Sequence, residues 1–147
     1  MIGDAILKNP NMKLKELYAT RDRLEQDGMK AIAQVIKKQK TLVKIELLQN
    51  GSKIGLRHLF DSLIECKANI KHINVNDNLS INKAIPQLKE VILNCKELEY
   101  LNISNMHMKK GNAQEISNAL IDVMRSGNSK LKELYWGDSL NNCSSVA

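Results

Sequence analysis

Two arginines flank an aspartate, Arg21-Asp22-Arg23, where a short apolar stretch ends. Guanidinium groups so placed can offer an electropositive contact to an acidic or phosphate-bearing partner. The same spacing also lets Asp22 pair with one arginine and fix a turn. Gln49 and Asp77 stand at the same phase of the next two apolar stretches, and Asn105 and Asp138 continue the row. Exposed polar groups repeated along one edge make a docking edge. A second set alternates within the stretches: Glu16/Tyr18, Lys44/Glu46, His72/Asn74, Tyr100/Asn102 and Glu133/Tyr135. Tyr18, Tyr100 and Tyr135 can anchor a partner, since tyrosine is enriched at binding hot spots. As amphipathic residues they equally suit an exposed strand.

Covalent and metal chemistry find little support. No glycine pair is followed by Lys-Ser or Lys-Thr at phosphate-loop spacing. No serine or cysteine sits in a nucleophile elbow. His58, His72 and His107 have no ligand spacing. Cys66 and Cys95 fall at nearly one phase of consecutive stretches, which reads as buried packing positions. The expectation is therefore no catalytic residue, no cofactor and no metal, and a protein that works by binding.

The elements that position these groups repeat. Leu14, Leu42, Ile70 and Leu98 lie 28 residues apart, and each opens an apolar-x-x-apolar-x-apolar segment. A fifth copy opens at Leu131, 33 residues further on. The alternating end of each segment predicts a strand with one apolar side. About ten residues later a helical period takes over. It is carried by Gly28, Ile32, Val35 and Ile36, then by Leu56, Phe60, Leu63 and Ile64. Ala84, Leu88, Val91 and Ile92 follow, and finally Ile116, Ala119 and Leu120. Such a period is the signature of a leucine-rich repeat array. The expected fold class is α/β: a right-handed solenoid with parallel strands on the concave face and helices outside. The chain, residues 1–147, reads as one domain.

Eight residues after each opening position this repeat class usually carries asparagine, whose amide can bond backbone groups where the chain leaves the strand. The column here is Asp22, Asn50, Asn78, Met106 and Ser139. Met106 predicts an irregular fourth turn, and Ser126-Gly127-Asn128-Ser129 predicts a longer loop that takes up the extra residues. Asp4 to Pro10 resembles the tail of a helix from a preceding repeat, and no helix pattern follows Trp136. Both ends predict a fragment of a longer array. The open ends would invite self-association.

Composition narrows the partner. Apolar residues make up 43% of the chain but aromatics only 3%, so stacked aliphatics must form the core. No run approaches a membrane span, and no basic stretch leads into a long apolar segment at the N-terminus. Three widely spaced cysteines suit a reducing cytoplasm. The net charge of +6 is spread out, with clusters only at Lys37-Lys38-Gln39-Lys40 and Lys109-Lys110 and no interleaved aromatics, so nucleic acid is not the expected partner.

Four motifs carry a family likeness, in order. Arg21-Asp22-Arg23-Leu24-Glu25-Gln26-Asp27-Gly28 resembles R-N-R-L-E-N-x-G. Leu48-Gln49-Asn50-Gly51 with Gly55-Leu56-Arg57-His58-Leu59 is similar to Q-N-G-I…G-I-x-x-L. Val75-Asn76-Asp77-Asn78 resembles L-x-D-N, and Leu131-Lys132-Glu133-Leu134 resembles L-x-E-L. Together, over about Leu14 to Leu140, they resemble the C-terminal half of the repeat domain of Ran GTPase-activating proteins, of the ribonuclease-inhibitor-like subclass. The likeness departs at Asp22, at the short loop Gly51 to Gly55, at Ala84 and in lacking an acidic tail. It implies a regulator of the small GTPase Ran in nucleocytoplasmic transport, touching its partner through Arg21, Arg23, Gln49, Asn50 and Asp77. Asn50 is also suited to serve its own turn. The family's catalytically important arginine and asparagine lie in earlier repeats, and no residue here matches them. The alternative is a non-catalytic interaction module, such as a tropomodulin-like actin-binding repeat domain.

Overall fold

The computed structural model of the chain describes residues 2–67 and 69–137. Within these, strands β1 (Glu16–Thr20), β2 (Lys44–Leu48), β3 (His72–Asn74), β4 (Tyr100–Asn102) and β5 (Glu133–Tyr135) form one sheet in chain order. Every neighbouring pair is parallel. Helix α1 (Ile2–Lys8) precedes β1. Helices α2 (Glu25–Ile36), α3 (Gly55–Cys66), α4 (Ile85–Asn94) and α5 (Lys110–Arg125) each carry the chain from one strand to the next. Parallel neighbours need such long crossovers, because a two-residue turn cannot return the chain in the same direction.

The register follows the sequence period. Glu16, Lys44, His72, Tyr100 and Glu133 pair in a row, and Leu17, Ile45, Ile73, Leu101 and Leu134 form the row beside it. Inward residues of the middle strands are fully buried, among them Ile45, Leu47, Ile73 and Leu101, as are Val75 and Ile103 just after β3 and β4. They share one core with Met29, Ile36, Phe60, Leu88, Val91 and Ile116 from the helices. Phe60, the chain's one phenylalanine, lies fully buried on α3. The helices pack on their neighbours in chain order, most extensively α2 on α3. Gly55 lets these two approach, since a Cβ there would sit 2.7 Å from the Met29 Cβ and 3.0 Å from the Glu25 carbonyl oxygen.

The two outer strands differ from the inner three. Among the described residues β1 and β5 pair on one side only. Leu17 is half-buried and Leu134 is 40% exposed, whereas the equivalent Ile45, Ile73 and Leu101 are sealed. An apolar hollow of about 550 Å³ opens beside β1, lined by Ile6, Leu7, Leu17, Leu24 and Ile32.

The extra length of the fourth unit is not confined to the loop after its helix, as expected above. Helix α5 itself has 16 residues, against 12, 12 and 10 in α2, α3 and α4. The amphipathic pattern of Ala113, Ile116, Ala119 and Leu120 continues past them to the half-buried Val123, which keeps the added turn packed. The fourth turn does depart from its predecessors. Met106 is buried among the apolar side chains, and Asn82 from the preceding unit bonds this loop instead. Asn82 Oδ1 accepts from the Lys109 N–H at 2.8 Å and the Asn112 Nδ2 at 2.7 Å, while its Nδ2 donates to the His107 carbonyl at 3.3 Å.

Candidate binding surfaces

Each of the strands β1 to β4 leaves the sheet through a residue with left-handed backbone: Arg21 (φ 60°), Gln49 (φ 53°), Asp77 (φ 57°) and Asn105 (φ 53°). This conformation is uncommon outside glycine, asparagine and aspartate, yet it recurs at one register in four units. The N–H of each bonds the next unit: Arg21 to the Leu48 carbonyl, Gln49 to that of Asn76, Asp77 to that of Ser104 and Asn105 to that of Gly137. The turn thus fixes where the side chains point. Arg21 donates through Nε to Gln49 Oε1, and Gln49 donates through Nε2 to Asp77 Oδ2 at 2.7 Å. Arg21 and Asp77 are exposed and Gln49 is half-buried. Arg23 (φ 50°) is exposed on the same edge.

The structure therefore brings Arg21, Gln49 and Asp77 into one linked row and places Arg23 near its start. Asp22 joins the turn through its backbone, whose N–H donates to Asn50 Oδ1 at 3.1 Å. Asp138, the expected last member of the row, lies outside the described residues, as does Ser139 of the asparagine column.

Asn50 is corrected as a contact residue. It is 1% exposed, and its amide donates to the Ala19 and Leu48 carbonyls at 2.9 and 3.0 Å. Asn78 repeats the arrangement one unit on, fully buried, donating to the Leu47 and Val75 carbonyls at 2.6 and 3.0 Å. Its Oδ1 accepts from the N–H groups of Asn50 and Ser52. Each asparagine ties its own turn to the turn before, so the amide hydrogens of both are spent inside the fold and burial keeps both from a partner.

The sheet face opposite the helices carries the second set. Tyr18 donates to Glu16 Oε2 at 2.5 Å, and the Lys44 ammonium lies 5.2 Å above the Tyr18 ring. Lys44 Nζ and His72 Nε2 each lie 3.0 Å from Glu46 Oε1. His72 stacks on Tyr100 at 4.0 Å with 4° between the planes, and Tyr100 meets Tyr135 at 5.4 Å. Tyr135 donates to Glu133 Oε2 at 3.2 Å. One continuous chain of contacts therefore crosses all five strands.

Electrostatics follow from those contacts. Burial, aided by the charge of Lys44, lowers the His72 pKa against the opposing pull of Glu46, so the imidazole stays neutral at pH 7. The Glu16 and Glu133 carboxylates raise the Tyr18 and Tyr135 phenols through their hydrogen bonds. Elsewhere, Cys66 is buried and Cys95 half-buried, both without a disulfide, and burial pushes the Cys95 thiol up to about 11. That suppresses its thiolate, the reactive form.

Sequence reading passed over two features. Gln39, within a lysine-rich run, is 4% exposed, and its Oε1 accepts from the Leu14 N–H at 2.9 Å. The other was legible in the letters alone. Lys13-Leu14-Lys15-Glu16-Leu17-Tyr18 and Lys130-Leu131-Lys132-Glu133-Leu134-Tyr135 are identical, and they run into the two outer strands of the sheet.

Among the described residues no helix is long and apolar enough to cross a membrane. The chain matches no family model and no curated protein.

Proposed function

We propose that this chain is part of a leucine-rich repeat solenoid that binds a small GTPase of the Ran type in the cytoplasm and serves nucleocytoplasmic transport as a regulator without an active site of its own. The observation that carries this reading is the row Arg21–Gln49–Asp77, exposed at both ends and with Arg23 at its start, held at one register on three consecutive turns. Neighbouring units lie about 5 Å apart along the pairing direction, so the row falls within reach of a single partner. The ordered motif likeness covers these same residues. The solenoid reading is supported by the strand register that tracks the sequence period and by the paired asparagine turns, since each unit buries its apolar side only against its neighbours.

The chemistry on this reading is positioning. A small GTPase aligns the attacking water with its own glutamine, and a bound regulator holds that arrangement in place. No residue here matches the family's early-repeat arginine and asparagine, so this chain alone would bind without accelerating hydrolysis.

Binding to GTP-loaded Ran, measured by interferometry, tests the reading. The triple variant Arg21→Glu/Arg23→Glu/Asp77→Lys is expected to lose at least tenfold in affinity, about 1.4 kcal/mol, with unchanged far-UV dichroism. Equal affinity of the variant would remove the row from the contact. Strong stimulation of GTP hydrolysis by the wild-type chain would overturn the positioning-only role.

Among the described residues β1 and β5 pair on one side only, which also supports concentration-dependent self-association, detectable by sedimentation. A second reading, an interaction module unrelated to GTP hydrolysis such as a tropomodulin-like actin binder, is favoured by one detail. The row pairs internally, and Arg21 already commits its Nε to Gln49. Co-sedimentation with actin filaments discriminates the two.

A further inference from the structure

The open face of the sheet carries a charge opposite to that of the molecule. The chain has net charge +6. Yet the outward positions of the five strands hold three carboxylates, Glu16, Glu46 and Glu133, against one ammonium, Lys44. The neutral His72 adds nothing. Glu46 is already balanced by Lys44, which leaves Glu16 and Glu133 as the unbalanced charges of this face.

Those two stand at opposite margins, each beside a tyrosine that it holds by a hydrogen bond. Tyr18 is 52% exposed and Tyr135 48% exposed. An exposed ring beside a carboxylate presents a cation with a π face and an acceptor together; at Tyr18 the Lys44 ammonium already lies 5.2 Å over one face of the ring, so an incoming cation takes the other. The two pairs arise from identical hexapeptides that run into the parallel strands β1 and β5. Four strand intervals of about 4.8 Å separate them by about 19 Å. Between them the stacked His72–Tyr100 pair, half-buried and neutral, makes a flat floor.

We infer that this face binds a basic peptide segment of a partner protein, which lies across the strands and places one arginine or lysine on each tyrosine–carboxylate pair. An extended segment rises about 3.3 Å per residue, so the two cations would stand about six residues apart and on the same side of the peptide. Arginine fits better than lysine, because its planar fork stacks on a ring while bonding a carboxylate. The surface is distinct from the rim row, and the inference does not depend on a GTPase.

Fluorescence anisotropy with the whole chain and labelled synthetic peptides tests it. The probes are Ser/Gly peptides with two arginines six residues apart, with two adjacent arginines, and with glutamates in place of the arginines. The spaced arginine peptide is expected to bind, to weaken steeply between about 50 and 200 mM salt, and to exceed the other two. Glu16→Gln/Glu133→Gln should weaken it about tenfold, and Tyr18→Ala/Tyr135→Ala comparably. Tyr18→Phe/Tyr135→Phe, which keeps the rings and the packing, should retain most of the binding. Glu65→Gln/Glu115→Gln on the helices makes the same change in net charge and should have no effect. Four outcomes would overturn the inference: no binding at millimolar peptide, equal binding of the adjacent-arginine peptide, equal loss in the helix control, or preferential binding of single-stranded RNA to this face.

Discussion

Two rows of polar residues run side by side through this molecule, one position apart in sequence, and they do opposite things. Asn50 and Asn78 point inward, are 1% and 0% exposed, and use their amides on the backbone of two turns each. Gln49 and Asp77, the residues just before them, point outward from left-handed backbone and bond only along the edge. A one-residue step across a tight turn thus separates a group that holds the fold from a group that can meet a partner. Both rows repeat with the same period, so periodicity alone does not distinguish structural from binding positions. The bonding capacity left over after the turn is closed does.

The sharpest way to break this contrast is Asn78→Ala. It strands two carbonyls and two N–H groups in the core, and buried groups left unpaired cost about 1–3 kcal/mol each in mutational data. A loss of about 3 kcal/mol in urea unfolding is expected, with Asn50→Ala somewhat milder because Asp22 lies on the exposed side of its network. Asp77→Ala next door should stay within about 0.5 kcal/mol, as for surface positions generally. Equal losses at the two positions would erase the distinction.

Met106→Asn probes the one turn where the column lacks its amide. Asn82 already bonds that loop, and the Met106 side chain is packed in the core. Placing an amide there should therefore destabilise by about 1–2 kcal/mol, because it would be buried without partners. A gain in stability would mean that the fourth turn needs what the others have.

A smaller effect is expected from pH. Burial lowers the His72 pKa below its unfolded value near 6.5. Its neutral form is favoured on folding, so stability is full above about pH 6.5 and declines as pH falls toward the folded pKa. Melting temperatures at descending pH should fall more for the wild type than for His72→Gln, once the shared loss from carboxylates is subtracted. A steeper fall in the variant would reverse the assignment.

Strand and helix positions were legible because two independent periods agree, 28 residues between units and i, i+4 within each helix. What escaped sequence reading did so for identifiable reasons. Arg21 and Gln49 in left-handed backbone run against residue preference, and the N–H of each bonds a carbonyl of the neighbouring unit, a link no local motif shows. The Asn82 network joins groups up to 30 residues apart that no local motif links. Asn50 carried two readings, turn and contact, and its burial selects the turn. The length of α5 was misread because Ser126-Gly127-Asn128-Ser129 is so strong a loop signal that the insertion seemed to belong wholly to it.

Hydrogen exchange read by mass spectrometry, on the chain with and without GTP-loaded Ran, tests the division of labour most directly. Slower exchange is predicted in peptides covering residues 20–24, 48–51 and 76–79, with the helices α3 and α4 unchanged. Protection confined to the helical side, or none at saturating partner, would contradict the rim as a contact surface.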